Sequence, residues 1–302
     1  MSAVFVEGGP DDGAIWHFGE PNHEQRALAA GKGFADLSHR AVLTVTGVDR
    51  LTWMNDLATQ EFATLQPGSW VESLMLDAQG HITQQFFAVD DGETLWLHTE
   101  KEKEESLLAF LQRMVFMLRV EPKSVSATHA VVRAPGTHDG IGGPYAIIPR
   151  IELSEILQAF ASVHSQVGTW ALEAERVAAH RARLLFEIDH KSIPNELGFL
   201  SGAVHMKKGC YPGQETVAKV FNLGHPPRRL VLLHLDGSMV HYPATGAKIF
   251  MGEKEVGYIG TVARHYELGP IALAVVRRTT PVAEVLIVDG VPATQEVIVP
   301  AE

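Results

Sequence analysis

Lys207-Lys208-Gly209-Cys210-Tyr211-Pro212-Gly213-Gln214-Glu215 is the stretch on which the reading of this chain turns. Two ammonium groups, a glycine, the only thiol of the sequence, an aromatic ring and a Pro-Gly break fall inside it. Pro212-Gly213 is turn punctuation. Gln214 and Glu215 suit the first turn of a helix running to Val220, where free N–H groups and the positive end of the dipole lie. Cys210 is therefore expected close to a helix N-terminus with Lys207 and Lys208 at hand, and both influences favour thiolate over thiol. The alternative is a small buried hydrophobe, the commoner state of a lone cysteine.

The segment continues as Thr216-Val217-Ala218-Lys219, and KGCYPGQE resembles the signature of the YgfZ family, folate-binding proteins related to the aminomethyltransferase (T-protein) of the glycine cleavage system. Its flanks resemble the actinobacterial branch: Glu187-Ile188-Asp189-His190-Lys191-Ser192-Ile193-Pro194-Asn195-Glu196 before it and Asn222-Leu223-Gly224-His225-Pro226-Pro227-Arg228-Arg229-Leu230 after it. The likeness covers nearly the whole chain. It implies an α+β fold, with a folate-binding region of antiparallel sheets and helices over residues 1–225, built of two intertwined subdomains, and an antiparallel β-barrel over 226–302. It also implies tetrahydrofolate or a derivative as ligand, and help in assembling or repairing the clusters of iron–sulfur enzymes, with Cys210 and Lys208 at the reactive position. A folate-dependent aminomethyltransferase or demethylase, and a non-catalytic folate-sensing partner protein, are the two other readings.

The resemblance also assigns ligand contacts. Relatives with the pattern Leu-Arg-hydrophobic-Glu set that glutamate against the pteridine ring, whose amino and N–H groups donate paired hydrogen bonds to a carboxylate. Leu184-Leu185-Phe186-Glu187 matches the pattern, which gives Glu187 this role and makes Asp189 its neighbour. The plainer alternative is an ion pair between Glu187 and Arg183 or Arg181. Lys207, Lys208 and Arg228 would offer charge to the glutamyl tail, with solvent exposure the alternative for the arginine.

Trp70 to Leu76 and Ile82 to Val89 read as two strands around the turn-rich Asp77-Ala78-Gln79-Gly80. True aminomethyltransferases carry acidic residues on this second strand, and the matching positions here are Gln84 and Gln85. An amide hydrogen-bonds the same ligand but neither holds negative charge nor accepts a proton at neutral pH. A pterin pocket that includes Gln84 is thus better supported than methylene transfer, and catalysis stays open.

Composition narrows the field. At 302 residues the chain is long enough for two or three structural units. A net charge of -11 argues against broad nucleic-acid or anionic-membrane binding. One cysteine excludes internal disulfides and CxxC metal sites, and suits a reducing compartment. The opening Met1 to Gly13 has no basic n-region or apolar h-region, and no apolar run approaches the roughly 20 residues of a spanning helix; the expectation is a cytoplasmic protein with no membrane or nucleic-acid partner. The 15 histidines show no HExxH and no His pair at i and i+4, and no Cys partner stands near His180, His190 or His205, so no metal site is expected.

Elsewhere the pattern predicts short strands in an extended Val4 to Glu20 arm and a strand over Ala41 to Gly47. Asp49 should cap a following helix. Helices are expected over Lys101 to Leu118, Glu152 to Val163 and Ala171 to Phe186, the last emptying into Glu187. The Gly140-Ile141-Gly142-Gly143 run lacks the Lys-Ser/Thr of a phosphate loop. After Pro226-Pro227, β-rich runs split by Gly, Pro and Asp turns predict the barrel.

Overall fold

The computed structural model describes residues 2–136, 144–237 and 241–301, so the Gly140–Gly143 run lies outside the described residues. The chain divides into two compact units. The first holds residues 1–76, 83–171 and 202–212; the second holds 77–82, 172–201 and 213–302.

In the first unit the expected arm is a two-stranded ribbon, β1 (Val4–Phe5) with β2 (Ile15–His17), followed by α1 (Pro21–Ala29). Gly31, at φ 69°, ends that helix in a left-handed residue as glycine readily does. β3 (Gly33–Asp36), β4 (Ala41–Thr46) and α2 (Arg50–Leu57) come next. β5 (Trp70–Leu76), β6 (Ile82–Asp90), β7 (Thr94–Thr99), α3 (Glu104–Arg113) and β8 (Glu121–Ser124) complete a five-stranded sheet of order β5-β6-β7-β4-β8 and its covering helix. β9 (His129–Arg133), β10 (Tyr145–Pro149), α4 (Leu153–Ala161) and β11 (Ser165–Gln166) build a second sheet of order β10-β9-β3-β11.

Strand alternation places the core. Leu43 and Val45 of β4, Phe86 and Ala88 of β6, and Leu95 and Leu97 of β7 share one face, where Trp53 and Met54 of α2 and Leu107 and Leu111 of α3 pack. Asp49 stands at the N-cap of α2 but makes no side-chain cap bond. Its carboxylate instead receives the N–H, Nε and Nη2 of Arg119, at 2.9, 3.0 and 2.8 Å. The helix expected over Lys101 to Leu118 is shorter: a 3-10 turn at Lys101–Lys103 leads into α3, and the chain leaves the helix at Met114. Trp53 Nε1 takes the Met114 carbonyl at 2.9 Å, and Phe116 turns to φ 44°, which no helix continues.

The opposite face of the five-stranded sheet carries an aromatic cluster. His98 stacks on Phe87 (5.0 Å) and meets Tyr145 (4.5 Å) and Trp70 (5.7 Å) edge-on. It is fully buried, and neither ring nitrogen has a hydrogen-bond partner among the described residues. Burial first, then the charge of Arg40, push its pKa well below 6.5, against a smaller upward pull from Glu100. The unfolded chain therefore binds a proton that the native state refuses, and stability is lost as pH falls below about 6.5, at roughly 1.4 kcal/mol per pH unit. Compared by urea unfolding at pH 7.5 and 5.5, His98→Phe is expected to match the wild type at the higher pH and exceed it by about 1.4 kcal/mol at the lower. Parallel losses in both proteins would refute the assignment.

In the second unit, α5 (Thr169–Ala178), whose first three residues belong to the first unit, leads to irregular chain and then α6 (Gln214–Leu223). β12 (Arg228–Leu235), β13 (Lys248–Met251), β14 (Lys254–His265), β15 (Gly269–Arg277), β16 (Leu286–Val288) and β17 (Val291–Val297) close into an antiparallel barrel of order β12-β15-β14-β13-β16-β17. Val231, Leu233, Ile249, Ile259, Ala272, Ala274 and Leu286 fill it. The fold is α+β with the terminal barrel that the turn-split β runs predicted. α5 stops well short of the expected Phe186. His180 takes φ 60°, and the N–H groups of His180 and Arg181 bond the Val177 and Arg176 carbonyls at 3.0 and 3.1 Å, a Schellman closure.

Candidate functional site

Glu187 lies beyond that closure, on a tight loop where its own N–H and that of Phe186 both reach the Arg183 carbonyl at 3.2 Å. The loop folds its carboxylate inward. Glu187 is fully buried; its Oε2 accepts Arg176 Nη1 at 3.0 Å and the Arg183 N–H at 2.9 Å. Oε1 has no partner among the described residues. Tyr258 donates its hydroxyl to the Glu187 carbonyl at 2.9 Å.

Arg176 holds this arrangement from α5. It also bonds Glu173 Oε2 at 2.7 Å and the Thr261 hydroxyl. Burial would lower the pKa of its guanidinium, but the charges of Glu173 and Glu187 raise it above the ordinary arginine value. Glu187 thus pairs with Arg176, a third arginine beside the Arg183 and Arg181 expected as its ion-pair partners. Gly260 supplies the remaining wall. It interrupts the β14–β15 register between Ile259 and Thr261, and a Cβ there would come within 2.4 Å of Glu187 Oε1.

Asp189 and Arg228, both expected at the ligand, hold each other. Arg228 Nη1 reaches Asp189 Oδ2 at 2.6 Å, and Nη2 reaches Glu196 Oε2 at 2.8 Å. Burial works to raise the Asp189 pKa, but the Arg228 hydrogen bond, the Lys191 N–H, the Arg228 charge and the Ser192 hydroxyl hold it well below the usual carboxylate range. Arg228 has already been claimed by two carboxylates. Ser192 accepts the Ile82 N–H on its carbonyl at 2.8 Å, so the tip of the β5–β6 hairpin belongs to this unit.

The first unit holds Lys208, whose ammonium is buried. It donates to the carbonyls of Asn55, Ala58 (2.6 Å) and Gln60 (2.8 Å), which lie at and just past the C-terminus of α2. Burial pushes its pKa down to about 8, which leaves it mostly charged at pH 7, as a cation at a helix C-terminus should be. Its Nζ also sits 5.3 Å from the centroid of the Tyr211 ring. Lys207 and Cys210 are exposed. Gly213, at φ 77°, is the N-cap of α6, three residues after the thiol.

Gln84 and Gln85 point to opposite faces of the sheet, as neighbours on a strand must. Gln84 Nε2 bonds the Ser106 hydroxyl at 2.9 Å, and its buried Oε1 has no partner among the described residues. Gln85 Nε2 bonds Glu72 Oε1 at 2.6 Å. Glu72 is a buried carboxylate that the sequence reading did not single out; its place on β5, opposite the hairpin's second strand, was the available signal. Among the described residues no cluster of three His, Cys, Asp or Glu side chains is arranged to hold a metal ion, and no helix is long and apolar enough to cross a membrane.

The fold is GcvT-like. Residues 5–138 match the GCVT N-terminal domain. The chain superposes on the glycine cleavage system aminomethyltransferase T from Bartonella henselae with a TM-score of 0.79 over 99% of this chain and 94% of that one, at 15% identity. In sequence it is 26% identical, over 66% of its length, to the mitochondrial iron–sulfur cluster assembly factor IBA57 homologue of Mycosarcoma maydis, and 22% identical, over 85%, to a putative chloroplastic transferase of Arabidopsis thaliana. The chain spans 56% of the Mycosarcoma maydis protein and 68% of the Arabidopsis thaliana one. These comparisons make the chain similar to YgfZ/GcvT-like proteins, the resemblance that KGCYPGQE and its flanks carry.

Proposed function

We propose that the protein binds tetrahydrofolate or a derivative and assists iron–sulfur cluster assembly or repair in client enzymes. The observation that carries the folate reading is the Glu187 carboxylate: Oε2 is locked by Arg176 and the Arg183 N–H, while the buried Oε1 has no partner among the described residues. A group so held has one acceptor to give, and it suits one of the amino and N–H donors of a pteridine ring rather than the pair. Cys210, exposed on the motif turn, is proposed as the residue that meets the cluster or the client. Asp189 and Arg228 then order the loop behind Glu187 through their ion pair, a narrower part than direct ligand contact. Residues 1–225 would form the ligand-binding part, with the barrel of 226–302 as its companion. The iron–sulfur part of the reading comes from the IBA57 homologues, and the Cys210 turn is the chemistry in this chain that suits it. Amides at Gln84 and Gln85 supply no base, which weighs against methylene transfer.

Calorimetric titration of tetrahydrofolate into wild type and Glu187→Gln tests the site, with thermal melts confirming that the variant is folded. Binding to the wild type, weakened at least tenfold in Glu187→Gln, is the expected result. No heat of binding to the wild type sinks the folate reading, and equal affinities sink the role of Glu187. A Cys210→Ser chain should keep folate affinity and lose support of client iron–sulfur enzymes in cells. Full support by that variant would remove the thiol from the mechanism.

A further inference from the structure

Arg229 is a buried cation with no counter-charge among the described residues. It continues the inward row of Val231, Leu233 and Leu235 on β12, so its side chain enters the end of the barrel and is 0% exposed. Nη2 donates to the Thr280 carbonyl and to Gln295 Oε1, both at 2.9 Å. Nε and Nη1 are buried and have no partner among the described residues, and the buried Thr280 hydroxyl has none either. Burial lowers the pKa of this guanidinium, yet an arginine stays ionised at neutral pH.

The neighbours add positive charge rather than cancel it. Arg277 stands opposite Arg228 across β12 and β15, and the Arg278 N–H holds the Pro227 carbonyl at 3.0 Å, so Arg228, Arg229, Arg277 and Arg278 gather at this end of the barrel. Like charges set opposite each other on antiparallel strands repel. Two carboxylates reach the group, Asp189 and Glu196, and Arg228 takes both. Arg277 is exposed and Arg278 Nη1 reaches the Ala301 carbonyl at 3.4 Å; neither makes an ion pair among the described residues. Glu284, the one acidic residue of the covering loop 278–285, gives its main-chain carbonyl to Gln295, not its carboxylate to Arg229.

We propose that this end of the barrel binds a small monovalent anion of chloride or formate size, held by Nε–H and Nη1–H of Arg229 and by the Thr280 hydroxyl. Water would satisfy the same hydrogen bonds and leave the buried charge unbalanced, which is the costlier arrangement. One negative charge balances one guanidinium, whereas a dianion would leave net charge out of water. The donors lie wholly out of solvent, which suits a compact ion. Arg277 and Arg278 raise the anion concentration locally, against the overall charge of -11. The site draws on none of Glu187, Lys208 or Cys210, so it stands apart from the folate reading.

The test compares the full chain in sodium chloride and in sodium gluconate, whose anion is too bulky for the site, at one ionic strength. Urea unfolding of the wild type is expected to give an unfolding constant about tenfold smaller in chloride, since an ion bound by the native state alone stabilises it by mass action. Formate should act as chloride does. Arg229→Met should lose the dependence on the anion, and Thr280→Val should reduce it severalfold. Chloride NMR line widths read the same site without unfolding: the wild type should broaden the resonance, excess formate should narrow it again, and Thr280→Val should broaden it severalfold less. That measurement decides the matter where Arg229→Met does not fold. Equal wild-type stability in the two salts, a chloride effect of the same size in folded Arg229→Met, or line broadening that Thr280→Val leaves unchanged would each overturn the proposal.

Discussion

Replacing Lys208 by methionine is expected to cost about 3 kcal/mol of folding stability, read as a lower urea midpoint with an unchanged slope. The lysine sits in the motif that marks the family, yet all of its hydrogen bonds found in the structure go to main-chain carbonyls: Asn55, Ala58 and Gln60. Methionine fills the same space and donates nothing, so three carbonyls packed away from water would lose a charged donor, and each such bond contributes roughly 1.5–3 kcal/mol net. Partial repair by water brings the sum down to the stated figure. A Lys208→Met chain with wild-type stability would show that the ammonium serves a ligand rather than the fold, and would restore the catalytic role that the sequence reading gave it.

Alanine at Gly260 is expected to cost a similar amount, about 3 kcal/mol, and to abolish whatever Glu187 recognises. The new methyl would stand 2.4 Å from Oε1, 2.6 Å from Cγ and 2.7 Å from Cδ of Glu187. Retreat is blocked, because Oε2 is bound on the far side by Arg176 and the Arg183 N–H, and the Glu187 carbonyl is bound by Tyr258. Either the strand shifts or a buried ion pair breaks, and each is a recognised route to a large loss. The coupling is measurable: with Glu187→Ala in the background, Gly260→Ala should become nearly neutral, since the atoms it would strike are gone. Additive losses in the double variant would mean that the clash is with something other than Glu187.

Much of the architecture was legible because it rests on local rules. The β5–β6 hairpin, the strand over Arg228–Leu235 and the remaining barrel strands follow from β-branched runs cut by Gly, Pro and Asp, and the helix after Gly213 follows from the Pro-Gly break. The long helices were overdrawn. α3 and α5 end where a tryptophan takes the Met114 carbonyl and where His180 adopts a left-handed conformation, and neither leaves a periodic signal.

The family likeness, the α+β class, the terminal barrel and the identity of the motif residues were decided by the sequence alone, since composition, periodicity and an eight-residue match are all properties of neighbours along the chain. Tertiary structure alone decided what those residues do for one another. Lys208 finds its carbonyl acceptors 148 to 153 positions earlier, and Arg176 meets Thr261 85 positions later. A main-chain oxygen has no side-chain letter to read, and a carboxylate's partner is set by which distant segments the fold brings within 3 Å of it.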